Sequence, residues 1–252
     1  MRTLILDLHG VLVDSKKVKE NYEIFLKKLY SDFNINEKKA IEYHKNGLTF
    51  FLNSINVIKS KNLIDEKFLE EMQVIDNEWD DLMRKPVLNW KNKSKLLEIE
   101  SRQIELKSGM IRNVFYPDAI NFLKYWLKKM QSHFKIVIAS NSHSSHIKGV
   151  ISGFDENLVS KVKIYGWDKT KCLKSHPNYF LRLKEIINSD LKKNLPLIMI
   201  GNSNDEIIGS SNEKMLPILI NRDANISNFA FKKAEMVFNS LDGVWYFIRN
   251  LN

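Results

Sequence analysis

Thr3-Leu4-Ile5-Leu6-Asp7-Leu8-His9-Gly10-Val11-Leu12-Val13-Asp14 is the stretch on which the fold turns. Residues 3–8 form a short apolar run rich in strand formers, and Gly10 follows shortly after. Such a run, bounded by a glycine, reads as a buried strand that ends in a loop. Asp7 therefore stands where the strand gives way to the loop.

The same pattern recurs downstream. Residues 134–139 (FKIVIA), 196–200 (PLIMI) and 216–220 (LPILI) are further strands, and 236–238 (MVF) is a fifth. Amphipathic helices lie between them. Pro117 opens one whose apolar face carries Ile120, Leu123, Trp126 and Leu127; Pro177 opens another with Phe180, Leu183, Ile186 and Ile187. Proline suits the first helical turn because its missing N–H has no partner there in any case. Residues 241–249 read as a closing helix. Strands alternating with helices predict βαβ units: an α/β, doubly wound parallel sheet with helices on both faces.

From 15 to 112 the character changes. The segment is rich in lysine and glutamate and holds a single proline, Pro86. Tyr22, Phe25, Leu26 and Leu29 share one helix face, and Phe68, Met72 and Ile75 share another. The spacing predicts an all-helical insert over 15–112, with residues 1–14 and 113–252 forming the α/β core. Trp79 and Trp90 read as core residues of that insert rather than as ligand platforms.

Composition narrows the class. Of 252 residues, 44% are hydrophobic and 27% charged, as in ordinary soluble globular proteins. No apolar run approaches the roughly 18 residues of a membrane span. The N-terminal apolar stretch is too short for a signal peptide and is interrupted by Asp7, so a cytoplasmic location is expected. Cys172 is the single cysteine, which excludes an intrachain disulfide and a cysteine-built zinc site. The net charge of +9 is spread over the chain in runs such as Lys16-Lys17, Lys27-Lys28, Lys38-Lys39 and Lys192-Lys193. A diffuse lysine surface attracts anions. No nucleic-acid recognition motif accompanies it, so the expected partner is a small anionic substrate, with neither a membrane nor a nucleic acid.

In open parallel sheets, ligands bind beyond the carboxyl ends of the strands. Asp7, His9 and Gly10 follow the first strand, and Ser140 and Asn141 the second. Gly201, Asn202, Asp205 and Glu206 follow the third, and Lys174 lies in the loop before the Pro177 helix. Their chemistry is coherent. A carboxylate can attack phosphorus or carbon and form a covalent intermediate. A strand-end hydroxyl and a lysine can hold the anionic group under attack. Acidic oxygens of another loop can hold magnesium, a hard cation that prefers oxygen ligands.

These residues carry a resemblance. Asp7-Leu8-His9-Gly10-Val11-Leu12-Val13-Asp14 resembles the first motif of the haloacid dehalogenase superfamily, D-x-D-G-[TV]-[LI]-x-D. The strand ending at Ser140-Asn141 is similar to the second. Lys174-Ser175-His176-Pro177-Asn178-Tyr179-Phe180 is similar to K-P-x-P-x-x-F, and IMIGNSNDEI resembles the fourth motif, G-D-x-x-x-D after an apolar strand. The four occur in order over roughly 1–14 and 115–220, and the insert falls where the superfamily carries a helical cap. The resemblance implies a Rossmann-like core and a hydrolase, a magnesium-dependent phosphatase of a small phosphorylated metabolite. In that reading Asp7 is the nucleophile that becomes an aspartyl phosphate. Ser140, Asn141 and Lys174 bind the phosphoryl group. Magnesium is held by Asp7, the His9 backbone carbonyl, Asn202, and either Asp205 or Glu206. Substrate specificity falls to the cap.

Two positions depart from the superfamily pattern. His9 stands where phosphatases carry an acid–base aspartate; histidine can transfer protons near neutral pH if it has the reach. Asn202 stands where a metal-binding aspartate is usual, and an amide oxygen ligates without charge. Both departures are shared in part with metal-independent 2-haloacid dehalogenases, which carry an Asn followed three residues later by Asp, as in Asn202 and Asp205. That branch has a tyrosine where His9 stands and a cap arginine soon after the first motif, whereas no arginine occurs between Arg2 and Arg84. A binding protein that kept the fold and lost catalysis is the third reading. Among the other candidates, Asp14 is expected to cap the next helix and His176 to be structural. His143 and His146 read as ordinary loop-to-helix residues, and Ser142 is a possible phosphate contact.

Overall fold

The structure, a computed structural model, describes residues 2–21, 101, 105, 108, 109, 111, 113–191, 196–222 and 226–250. The helical insert predicted for 15–112, with Trp79 and Trp90, lies almost wholly outside the described residues.

Among the described residues six strands form one all-parallel sheet. In chain order the elements are β1 (Arg2–Asp7), α1 (Pro117–Tyr125) with a π-turn continuation (Trp126–Met130), β2 (Phe134–Ala139), α2 (Ser144–Ser152), α3 (Glu156–Lys161), β3 (Lys163–Tyr165), α4 (Trp167–Thr170), α5 (Tyr179–Leu191), β4 (Leu197–Gly201), α6 (Asn204–Asn212), β5 (Leu216–Ile220), α7 (Asn228–Lys233), β6 (Met236–Phe238) and α8 (Leu241–Arg249). The sheet order is β3-β2-β1-β4-β5-β6. The chain winds outward one way from β1 and then the other way from β4, the doubly wound arrangement expected from the alternation of elements.

The two faces bury different side chains. Leu4 and Leu6 pack with Phe122 and Leu123 of α1, Ile147 and Val150 of α2, and Val244 and Ile248 of α8. Ile5, Val137 and Met199 point the other way, onto Tyr179, Phe180, Leu183 and Ile187 of α5. Alternate residues of β1 thus face opposite layers, as the pleat requires, and both faces are apolar because both are covered.

Two local readings differ from the sequence expectation. Pro117 begins α1 as predicted, but Pro177 sits in a turn and α5 starts at Tyr179. The Asn178 N–H donates to the His176 side chain at 3.1 Å and the Tyr179 N–H to the His176 carbonyl at 2.9 Å, so two residues more are spent in the turn. The short edge strand β3 was not foreseen.

The segment after β1 is closed at its base. Leu12 and Val13 N–H both donate to the Leu8 carbonyl, at 3.0 and 2.8 Å. Val13 makes an antiparallel bridge to Phe115, Asp14 N–H donates to the Val114 carbonyl at 2.9 Å, and Tyr116 N–H donates to the Leu12 carbonyl at 3.0 Å. Residues 15–21 are helical, and Asp14 caps them by accepting from Lys16 N–H at 2.9 Å, as expected.

Candidate active site

The reversal of strand order falls between β1 and β4, and there the sheet opens a crevice at its carboxyl edge. Asp7 is the last residue of β1 and Gly201 the last of β4, with Leu6 opposite Ile200. Asp7 is also opposite Ala139, which places Ser140 one step beyond the end of β2. Parallel register thus brings three of the four motif segments to one line.

Lys174 joins them from the turn before α5. It is buried, 6% exposed, and its ammonium lies between Asp7 Oδ1 and Glu206 Oε1, donating to both. Glu206 is 1% exposed. Its other oxygen accepts from Asn202 N–H at 2.7 Å and Ser203 N–H at 3.0 Å, while Ser203 Oγ accepts from Glu206 N–H at 3.4 Å. This is a capping box at the start of α6, and it turns Glu206 back into the site. Asp205, one residue earlier, is exposed. Of the two acids that the sequence leaves open, Glu206 is therefore the one at the centre. Asp205→Asn, a surface substitution, is expected to shift stability by no more than about 0.5 kcal/mol, and a urea unfolding curve checks it.

Burial and the neighbouring Glu206 push the Asp7 carboxyl up to about 7, against the pull of Lys174. For Lys174 burial alone would lower the ammonium, but Asp7 and Glu206 outweigh it and hold it above the ordinary lysine range. Two buried carboxylates sharing one ammonium make a cluster in which one negative charge is uncompensated when all three groups are ionised.

Gly10 makes the loop possible. Its φ is +87°, and a Cβ placed there would lie 2.0 Å from the Asn202 side-chain nitrogen. The backbone needs the left-handed region, and the space is already taken by the amide. Gly10→Ala is expected to cost more than about 1 kcal/mol of stability and to displace Asn202. A urea unfolding curve checks it.

The Asn202 amide can take either orientation. With its nitrogen inward it donates to Asp7 Oδ2 at 3.2 Å and to the His9 carbonyl at 3.0 Å. With its oxygen inward, three oxygens converge on one point, a donor set that fits a hard divalent cation. Glu206 lends that point no free oxygen, since Lys174 and two backbone N–H groups occupy it. Among the described residues no cluster of three or more His, Cys, Asp or Glu side chains could hold a metal.

His9 is held from two sides. Its Nε2 is 3.2 Å from Ser142 Oγ, and its ring stacks on His146 with centroids 5.6 Å apart and planes 12° apart. His146 Nδ1 in turn is 2.8 Å from Ser108 Oγ. Burial, with the charge of Lys174, brings the His9 imidazole down to about 4, so it is neutral at neutral pH. Ser140 is buried, and its Oγ accepts from Ser142 N–H at 3.2 Å, which leaves its proton for a ligand. Asn141 Oδ1 accepts from Lys174 N–H at 2.8 Å, so Asn141 fixes the lysine's backbone. His143 caps α2, accepting from Ser145 N–H at 3.2 Å, and His176 caps its own turn.

The sequence reading treated His146 as an ordinary loop residue and did not pair Ser142 with His9. No local signal shows either, because the partners are more than a hundred residues apart. Arg222 was also passed over, although it stands two residues past β5, where the strand-end rule applies.

No protein-family model and no curated protein sequence matches the chain. Solved structures do. An L-2-haloacid dehalogenase superposes with a TM-score of 0.53 at 13% identity, covering 98% of this chain and 99% of that one. The hydrolase YfnB from Bacillus subtilis, determined bound to magnesium, gives 0.51 at 16% identity over 98% of both chains. A hydrolase from Pseudomonas syringae gives 0.50 at 16% identity over 100% of both. Together with the sheet order and the four motif segments at one sheet edge, they show that this chain has the haloacid dehalogenase fold.

Proposed function

We propose that the chain is a hydrolase of small anionic substrates, a phosphatase acting on a phosphate monoester with Asp7 as nucleophile. One observation carries the reading: a buried carboxylate ends the central strand at the topological switch point, with one oxygen on Lys174 and the other facing Asn202 and the His9 carbonyl. In the first step a carboxylate oxygen of Asp7 forms a bond to phosphorus as the ester oxygen leaves with its electron pair. Lys174 favours the ionised form of Asp7, and two of its three protons go to carboxylates, leaving one for a phosphoryl oxygen. The Ser140 hydroxyl donates to another. Water then attacks phosphorus of the aspartyl phosphate, the neutral imidazole of His9 takes its proton, and the P–O bond to Asp7 breaks, so that the carboxylate leaves with the electron pair and inorganic phosphate is released. An imidazole unprotonated at neutral pH is a poor acid for the first step, which favours substrates whose leaving oxygen departs as a stable anion.

Asp7 Oδ2, the His9 carbonyl and the Asn202 amide oxygen are the groups that would hold magnesium. Bound there, the ion would neutralise charge on the phosphoryl oxygens during attack. With a single carboxylate in the set, affinity is expected to be low. The test is hydrolysis of p-nitrophenyl phosphate with magnesium and with EDTA. Activity that rises with magnesium and vanishes in EDTA supports the reading, and a folded protein inactive in both sinks it.

A second reading has its own support. With the Asn202 nitrogen inward, Asp7 Oδ2 is satisfied without a cation, which suits attack on carbon in a 2-haloacid. Halide release from 2-chloropropionate in EDTA, with no phosphatase activity, would move the assignment there.

A further inference from the structure

Arg222 lies two residues beyond the end of β5 and reaches across the sheet edge to the loop that follows the nucleophile. Its Nε donates to the Gly10 carbonyl and one of its terminal nitrogens to the Val11 carbonyl, both at 3.2 Å. The same nitrogen donates to Asp118 Oδ2 at 2.6 Å. The guanidinium lies over the Tyr116 ring, 3.9 Å from its centroid. Asp118, buried at the start of α1, also accepts from Leu241 N–H at 2.7 Å. The arginine is thus locked between the loop after β1 and the start of α1, and spends its fork on two consecutive backbone carbonyls.

We propose that Arg222 is a positioning residue for the Asp7 site, an inference that rests on the hydrolase reading above. The path is short. Arg222 fixes the peptide planes on either side of Val11. Gly10, held at positive φ with its N–H donating to the Val13 carbonyl at 2.7 Å, is thereby pressed against the Asn202 amide. That amide faces Asp7 Oδ2 and the His9 carbonyl. A loosened Gly10 lets Asn202 drift and so blurs the point at which the reacting oxygen and its neighbours must meet. A planar fork with two donors in fixed relation can hold two carbonyls at once; a lysine ammonium in the same place cannot hold that geometry.

The experiment compares wild type, Arg222→Ala and Arg222→Lys in p-nitrophenyl phosphate hydrolysis, each with and without added guanidinium chloride at low millimolar concentration. Misplacement of about an ångström costs on the order of 100-fold in rate, so both variants are expected to lose roughly 10- to 100-fold in kcat with KM within about twofold. Guanidinium, but not methylammonium, should restore several-fold of the loss in Arg222→Ala. Loss of stability alone would lower the melting temperature and leave guanidinium without effect. A kcat loss that guanidinium does not touch, or a rise in KM at unchanged kcat, overturns the proposal. If the wild type hydrolyses nothing, the hydrolase reading fails, and the inference is read instead from amide hydrogen exchange. Faster exchange at Gly10, Leu12 and Val13 in Arg222→Lys, with β4 amides unchanged, supports it; wild-type exchange at all three overturns it.

Discussion

Asp7→Asn is expected to abolish p-nitrophenyl phosphate hydrolysis, by on the order of 10⁴-fold or more as for other single nucleophile removals, and to melt at or above the wild-type temperature at pH 8 in EDTA. The two halves have one cause. A nucleophile must be ionised, and here ionisation happens inside a cluster with Glu206 and away from water. The folded-state pKa of about 7 stands above the ordinary value of 3.8. A carboxyl whose pKa is raised on folding stabilises the fold below its unfolded value and loses that contribution as pH climbs through the folded one. Above pH 7 the fold therefore carries an unfavourable charge that the proposed attack by Asp7 requires, and the amide removes it without changing shape. Stability held in reserve against function is a common trade at active sites. The measurement is a pair of melting curves at pH 5 and pH 8 beside the activity assay. An Asp7→Asn variant several degrees less stable than wild type at pH 8 would contradict the account, as would one that keeps a tenth of the activity.

Lys174→Met should be the more damaging change. The ammonium is 5% exposed at its side chain and pairs with two carboxylates that are 7% and 2% exposed. Removing one partner of a buried ion pair costs about 3–5 kcal/mol, because the charges left behind are neither solvated nor compensated. The expected result is a loss of that order at pH 8, by urea unfolding, together with complete loss of hydrolysis. Below pH 5 the deficit should shrink. Asp7 already binds its proton more readily in the fold than in the unfolded chain, and the pull of Lys174 that opposes this is gone in the variant, so its unfavourable contribution fades as pH falls. A deficit under about 1 kcal/mol at pH 8, far below the buried-pair range, would mean that Asp7 and Glu206 do not depend on this ammonium.

Much of the site was legible because a parallel sheet has one carboxyl edge. Reading the residues after each apolar run finds Asp7, Ser140 and Asn202 without knowing strand order. That Glu206 and not Asp205 turns back into the site was also within reach: Ser203-Asn204-Asp205-Glu206 is a capping box in sequence, and its third helical residue points back toward the cap. Strand order was not legible, since it depends on how distant segments pack. Nor was β3, whose Lys163 is exposed and Ile164 half-buried, so its three residues make no apolar run. The position of His9 is held by Ser142, 133 residues away, and by the stack with His146, and its neutral state by burial and Lys174; spacing along the chain holds no trace of these.

The closed base of the segment after β1 has an evolutionary consequence. The outgoing chain at Val13 and Asp14 and the returning chain at Val114 and Phe115 are zipped together by backbone hydrogen bonds, with Val13, Val114 and Phe115 buried in the same core. Whatever lies between them leaves and re-enters at one point. Lengthening such an excursion is cheap, on the order of 0.6 kcal/mol for each doubling, and does not disturb the register of β1 against β2 and β4. Descendants of this chain can therefore exchange whatever sequence stands between those two ends while Asp7 keeps its place, so that change there need not rebuild the carboxyl edge of the sheet.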